Sequence, residues 1–167
     1  LADPDYEILD GGLVIDDPDY GTADAAVCRL QSGAFDALVL CICGWVPTHA
    51  VVRVADTFRH LPMMLWGLCG WKERGKLVTT AEQAGTTALR ATLRELGYRF
   101  KFVYNTIGAP MPAASIRSFL TAASAASRLR RMRIGTMGYR DMLLYGTQFE
   151  GFSMRREIGL EVEPYEM

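Results

Sequence analysis

Residues 35–45 read FDALVLCICGW, and the run from Ala37 to Cys43 is apolar without interruption. A strand open to water on one face alternates apolar with polar residues, whereas one covered by helices on both faces reads as a continuous apolar run. The stretch therefore predicts a central strand of a parallel sheet, with Gly44-Trp45-Val46-Pro47-Thr48-His49 at its carboxyl end.

The flanking segments take the same pattern in both directions. Upstream, Tyr6–Leu9 reads as a strand or its extension, and Asp16–Asp24, with Pro18 and Gly21, as a loop. Thr22 or Asp24 can cap a helix that runs through Ala25, Val27 and Leu30 to Gln31 and stops near Gly33. Downstream, Val51, Val54, Ala55 and Phe58 form one apolar stripe of a helix over Ala50–Arg59. Pro62 opens a strand over Met63–Leu68, followed by a loop, Cys69–Lys76. Thr80–Gly97 is helical, with Leu89, Leu93 and Leu96 in register and Gly97 as the stop. Arg99–Tyr104 is a strand with Phe100 and Phe102 on one face and Val103 on the other.

Strands that alternate with helices pair in parallel through right-handed crossovers. The expected fold is thus α/β, a doubly wound parallel sheet of the flavodoxin or Rossmann kind. Gly108-Ala109-Pro110-Met111-Pro112 is linker-like, and a helix from Pro112 through Ile116, Phe119, Leu120, Ala123, Ala126 and Leu129 to Met132 follows it. The arginines Arg128, Arg130, Arg131 and Arg133 suit the negative end of that helix as a solvated face, with an anion-binding patch as the sharper alternative. Residues 133–167 then place an apolar run, Ile134–Met137, before the turn at Gly138, a polar loop, a helical segment and a second apolar run, Leu160–Val162. The expected organisation is an N-terminal α/β domain over 1–111 without its first strand and helix, a linking helix over 112–132, and the opening of a second Rossmann-like domain over 133–167. On this reading the chain is a fragment.

Composition removes several classes of function. A net charge of −1 and a pI near 6.2 offer no basic face for nucleic acid. No apolar run reaches the roughly 18–20 residues that span a bilayer, and LADPDYEILD has no signal-peptide character, so no membrane partner is expected and a soluble, cytoplasmic protein is. Cys28, Cys41, Cys43 and Cys69 lack CxxC spacing and are expected to be small core residues in a reducing compartment. Cys41 and Cys43 share one strand face, too constrained to bridge each other in regular geometry. With only His49 and His60 to join them, a metal site is not expected.

Ligands of doubly wound sheets collect at the carboxyl ends of the strands. Trp45, Thr48 and His49, then Trp71–Arg74, then Tyr139–Met142 are so placed, and none forms a recognisable catalytic set. His49 has no carboxylate near it in sequence and reads as structural or exposed. The acidic Asp16, Asp17 and Asp19 lack calcium-loop spacing and read as a turn. Gly135-Thr136-Met137-Gly138 sits where a phosphate loop would, without GxGxxG or GKS/GKT. Trp66, within a strand, reads as core, whereas Trp45 and Trp71 lie beside glycine at strand ends, where an indole can stack on the apolar face of a sugar ring.

The order of segments resembles the L-fucose isomerase and L-arabinose isomerase family, from its N-terminal domain into the start of its second. The resemblance is carried by FDALVLCICGWVPTHA (35–50), LPMMLWG (61–67), TAEQAGTTALRATLRELG (80–97) and, most specifically, RIGTMGYRDMLLYGTQFEGFSMRREIGLEVE (133–163). It implies a parent protein that interconverts aldose and ketose through an enediol stabilised by a divalent metal, commonly manganese. The family's metal ligands and catalytic carboxylates lie beyond Met167, so no catalytic or metal-binding residue is implied in this chain, which alone would be inactive. The resemblance does imply a pocket wall: Trp45 projecting toward a neighbouring subunit's sugar site, Met142 lining the site from the second domain, and Gln83 as a polar contact. It further implies homo-oligomers, as hexamers, with a small sugar as ligand. The competing reading is a non-catalytic, flavodoxin-like domain that binds a sugar or small metabolite without metal. A nucleotide- or flavin-binding domain, with phosphate in the turn after Ile134, is a third.

Overall fold

The longest strand, Met63–Glu73, occupies the middle of the main sheet, where each of its edges is paired. In this computed structural model residues 6–79, 81–138, 142, 144–147 and 149–165 are described. The chain divides into two compact units, Leu1–Phe119 and Leu120–Met167.

In the first unit β1 (Leu38–Ile42), β2 (Met63–Glu73) and β4 (Phe100–Ile107) run parallel. Leu38 is level with Met63, and Met63 with Phe100. A short β3 (Lys76–Val78) folds back antiparallel on the end of β2, pairing Glu73 with Lys76 and Trp71 with Val78. Helix α1 (Gly21–Gln31) lies against α2 (Thr48–Thr57), which lies against α3 (Ala81–Glu95). Their apolar stripes, among them Ala26, Leu30, Val51, Val54, Leu89 and Leu93, share one core with Leu38, Leu40 and Ile42 of β1 and Met63 and Leu65 of β2. Three helices thus cover one face of the sheet, and β1, β2 and β4 step across it in one direction. No helix among the described residues is long and apolar enough to cross a membrane.

The parallel α/β architecture agrees with the sequence, and α2, α3 and the separation of Phe100 and Phe102 from Val103 fall where expected. Several details differ. Although Ala37–Cys43 is continuously apolar, burial along β1 alternates: Leu38, Leu40 and Ile42 are buried and Val39 and Cys41 exposed. Among the described residues β1 pairs on one edge only, so the central strand is β2. Tyr6 makes an isolated bridge rather than opening a strand.

Cys69–Lys76, expected as a loop, is the far half of β2 and a tight hairpin. Arg74 and Gly75 both take positive φ, at 47° and 77°, as a two-residue turn of the mirror-image type requires. The cysteines are not core either: Cys28 on α1 and Cys41 and Cys43, on the sheet face opposite α1–α3, are exposed, and Cys69 is half-buried. Trp66 lies on that same outer face, half-buried, and its Nε1 donates to Asn105 Oδ1 at 2.8 Å. The acidic Asp16, Asp17 and Asp19 lie in a turn, but the loop expected over Asp16–Asp24 is cut short because α1 already starts at Gly21. One Asp17 carboxylate oxygen accepts from Asp19 N and the other from Thr22 N, each at 3.1 Å. The cap of α1 therefore comes from outside Thr22 and Asp24, and Asp24 instead pairs with Arg53 of α2, with Nη2 to Oδ2 at 3.0 Å.

In the second unit, the end of α4 (Ala113–Arg131) leads into β5 (Arg133–Met137), which pairs in parallel with β6 (Glu161–Tyr165) from Arg133↔Glu161 to Met137↔Tyr165. Between them, Gly151–Ser153 and Met154–Ile158 form one short helical run. Its amino end is capped by Glu150, whose carboxylate accepts from Phe152 N at 2.9 Å and Ser153 N at 2.6 Å. Gly159, at φ 86°, ends it. The strand–loop–helix–strand unit expected after Arg133 is present, its crossover connection giving the parallel pair that a hairpin could not.

Candidate functional site

The carboxyl ends of β1 and β2 meet the first turns of α3, and glycines allow the approach. A Cβ on Gly85 would stand 2.8 Å from Gly44 O and 3.4 Å from Trp45 Cα. A Cβ on Gly67 would stand 2.3 Å from Thr86 Cγ2. Both glycines are there because backbone and helix leave no room for a side chain.

Below this contact lies a buried polar group. Glu82 is 5% exposed and Thr86 1%. Glu82 Oε1 accepts from the Gly70 N–H at 3.1 Å. Gly70 has φ 70° and marks the irregularity where the β2–β4 register shifts between Leu68 and Trp71. The carboxylate thus holds a kinked strand end onto the amino-terminal turn of α3, where the helix dipole favours a negative charge. Cys69 completes the group. Its thiol is pushed up by desolvation and by the Glu82 carboxylate, against an opposing contribution from the Thr86 hydroxyl.

Trp45 sits at the rim, 57% exposed, on backbone fixed by Gly85. Gln83 shares the first turn of α3 and is exposed, but it lies two positions from Gly85 and so roughly 200° around the helix from the Trp45 contact. Met142 belongs to the second unit, 77% exposed with φ 43°. Tyr139, Arg140 and Asp141 lie outside the described residues, as does Thr80.

The other candidates are occupied by packing. The His49 ring meets Tyr20 edge-on at 5.2 Å, and Arg53 stacks over the same Tyr20 ring at 5.1 Å. Thr48 is the first residue of α2. Trp71, Lys72 and Glu73 are strand residues paired with β3, and Trp71 is half-buried. Gly135 lies within β5, where a Cβ would stand 2.6 Å from Tyr165 Cε2, so packing and not phosphate explains it. The arginines of the second unit are partly neutralised: Arg133 meets Glu163 at 2.7 Å and Arg155 meets Glu161 at 3.7 Å. Among the described residues no three His, Cys, Asp or Glu side chains come together as metal ligands would.

Glu82, Thr86 and Cys69 were not singled out by the sequence. The available signal was the pair Gly67 and Gly70 inside an apolar strand, which marks close backbone approach. The exposed indole, fixed on a rigid turn beside a helix amino terminus, can present an aromatic face to a small polar ligand. No protein-family profile matches the chain, and no curated protein matches it.

Proposed function

We propose that this chain is the amino-terminal portion of a metal-dependent aldose–ketose isomerase of the L-fucose/L-arabinose isomerase type, supplying pocket wall and contacts between copies. The observation that carries the proposal is Trp45, exposed at the carboxyl end of a parallel strand and held there by the Gly44–Gly85 contact. In this reading its indole packs on the apolar face of a sugar bound by a neighbouring copy in a hexamer, while Met142 lines a sugar site from the second unit and Gln83 is a separate polar contact. Strands β1, β2 and β4 step in one direction; in this reading they are one half of a doubly wound sheet, and a further strand would pair on the β1 edge that is unpaired among the described residues. The protein would work in the cytoplasm.

Manganese or another divalent metal would supply the Lewis-acid stabilisation of the enediol. The described residues do not fit such an ion, which takes several oxygen ligands, because no cluster of three ligating side chains exists among them. No step of the reaction is therefore assigned to this chain. Its own contribution is to bind, orient and shield the sugar.

The test is sugar binding by the isolated chain and by the protein as its source makes it, with and without manganese. The proposal expects binding and turnover only in the latter. Metal-free sugar binding by the isolated chain would favour the non-catalytic, flavodoxin-like binding domain.

A further inference from the structure

The charges of this chain nearly cancel, at −1 overall, but two stretches of the first unit hold them apart. Residues 6–24 carry the carboxylates Glu7, Asp10, Asp16, Asp17, Asp19 and Asp24 and no lysine, arginine or histidine. This segment runs back along α1, with Leu9 beside Gly33 and Ile15 N donating to Thr22 Oγ1 at 3.3 Å. Asp17 is used within the turn and Asp24 by Arg53, whereas Asp16 and Asp19 stand exposed, next to Leu13 and Ile15, which are 77% and 47% exposed. The β2–β3 hairpin is the reverse: Lys72, Arg74 and Lys76 are exposed against the single acid Glu73. Lys72 is level with Leu77, itself 58% exposed, so a cation and an apolar side chain share one face of the hairpin. Among the described residues no ion pair within the chain engages Lys72, Arg74, Asp16 or Asp19.

We infer that the β2–β3 hairpin of one copy docks on the acidic segment over residues 7–19 of a second copy. Charge complementarity selects the occupant: the hairpin offers unpaired cations around an exposed leucine, and the segment offers unpaired carboxylates around exposed Leu13 and Ile15. An apolar centre with a charged rim is the ordinary anatomy of a protein–protein interface. Three cations on a chain of net charge −1 are too few to hold a polyanion at physiological salt, whereas they suit a local acidic patch. The contact is heterologous, hairpin to segment, so it links copies head to tail and closes into a ring where the rotation permits. It needs no sugar, and it stands or falls apart from the isomerase reading.

The test is sedimentation of the reduced full chain. Wild type is expected to self-associate, with a dissociation constant that rises about tenfold or more as salt is raised from about 0.05 to about 0.5 M, and this series needs no variant. Lys72→Glu/Arg74→Glu leaves the Glu73–Lys76 strand pair in place, and Asp16→Lys/Asp19→Lys leaves the Asp17 turn in place. Each variant alone is expected to associate at least about tenfold more weakly than wild type. An equimolar mixture of the two is expected to associate again, because each then offers the charge that the other lacks, and that recovery shows both to be folded. A monomeric wild type, association indifferent to salt and to both reversals, or a mixture that stays monomeric while circular dichroism shows both variants folded would overturn the inference.

Discussion

Gly85 of α3 lies so close to Gly44 that a Cβ on it would stand 2.8 Å from the Gly44 carbonyl oxygen. The obstacle is backbone, which cannot swing aside as a flexible side chain would. This one approach fixes the turn that carries Trp45.

Replacement of Gly85 by alanine therefore sets two effects against each other. Alanine favours the helix by about 1 kcal/mol, whereas overpacking costs about 1–3 kcal/mol. The expected outcome of urea denaturation is net destabilisation, with an altered emission spectrum from the displaced Trp45. A stabilised variant with unchanged fluorescence would show that the contact is not tight.

Glu82 tests the base of the site. Its buried carboxylate accepts from Gly70 N, so Glu82→Gln keeps an acceptor and Glu82→Ala does not. The alanine variant is expected to lose about 1–3 kcal/mol, the cost of leaving a buried donor unpaired, and the glutamine variant less. Amide exchange at Gly70 provides the local readout, rising in the alanine variant well before global unfolding.

Tyr98 gives the pH dependence. Its hydroxyl donates to the Asp56 carboxylate, and desolvation, followed by that bond, pushes its pKa from 10.0 to about 12. A group whose folded pKa is raised contributes stability that is complete below the unfolded value and is lost as pH climbs through the folded one. Wild type should therefore lose stability between pH 10 and about 12 relative to Tyr98→Phe, which has no such proton. At neutral pH the phenylalanine variant should be the less stable by about 1.5–3 kcal/mol, typical of a hydrogen bond to a charged group. Parallel denaturation curves for the two proteins across this range would contradict the assignment.

How far the fold was legible depends on the residues concerned. The helices α2 and α3 were readable because Val51, Val54, Leu89 and Leu93 repeat at helical spacing and bury on one side. The β5–β6 unit was readable because two short apolar runs flank a glycine turn and a helical segment. The β2–β3 hairpin was not, since its turn is Arg74-Gly75 and lacks the asparagine or aspartate that usually marks positive φ. Nor was the exposure of Val39 and Cys41, because the sheet face opposite α1–α3 is buried at Met64 and Val103 but not along β1, and an apolar residue there looks in sequence like a buried one. At the site, Trp45 could be placed from its position after a strand. Glu82 could not, because an acidic residue in a first helical turn is ordinarily solvated, and here the kink at Gly70 buries it.

The most direct test of the proposed function is an aldose–ketose isomerisation assay on the protein as its source produces it, with manganese, comparing the native form with Trp45→Ala. The account predicts manganese-dependent turnover of a sugar such as L-fucose or L-arabinose, and a raised KM in the variant at unchanged stability, since Trp45 is 57% exposed. Absence of turnover with every aldose tested, together with metal-free sugar binding that survives Trp45→Ala, would contradict it.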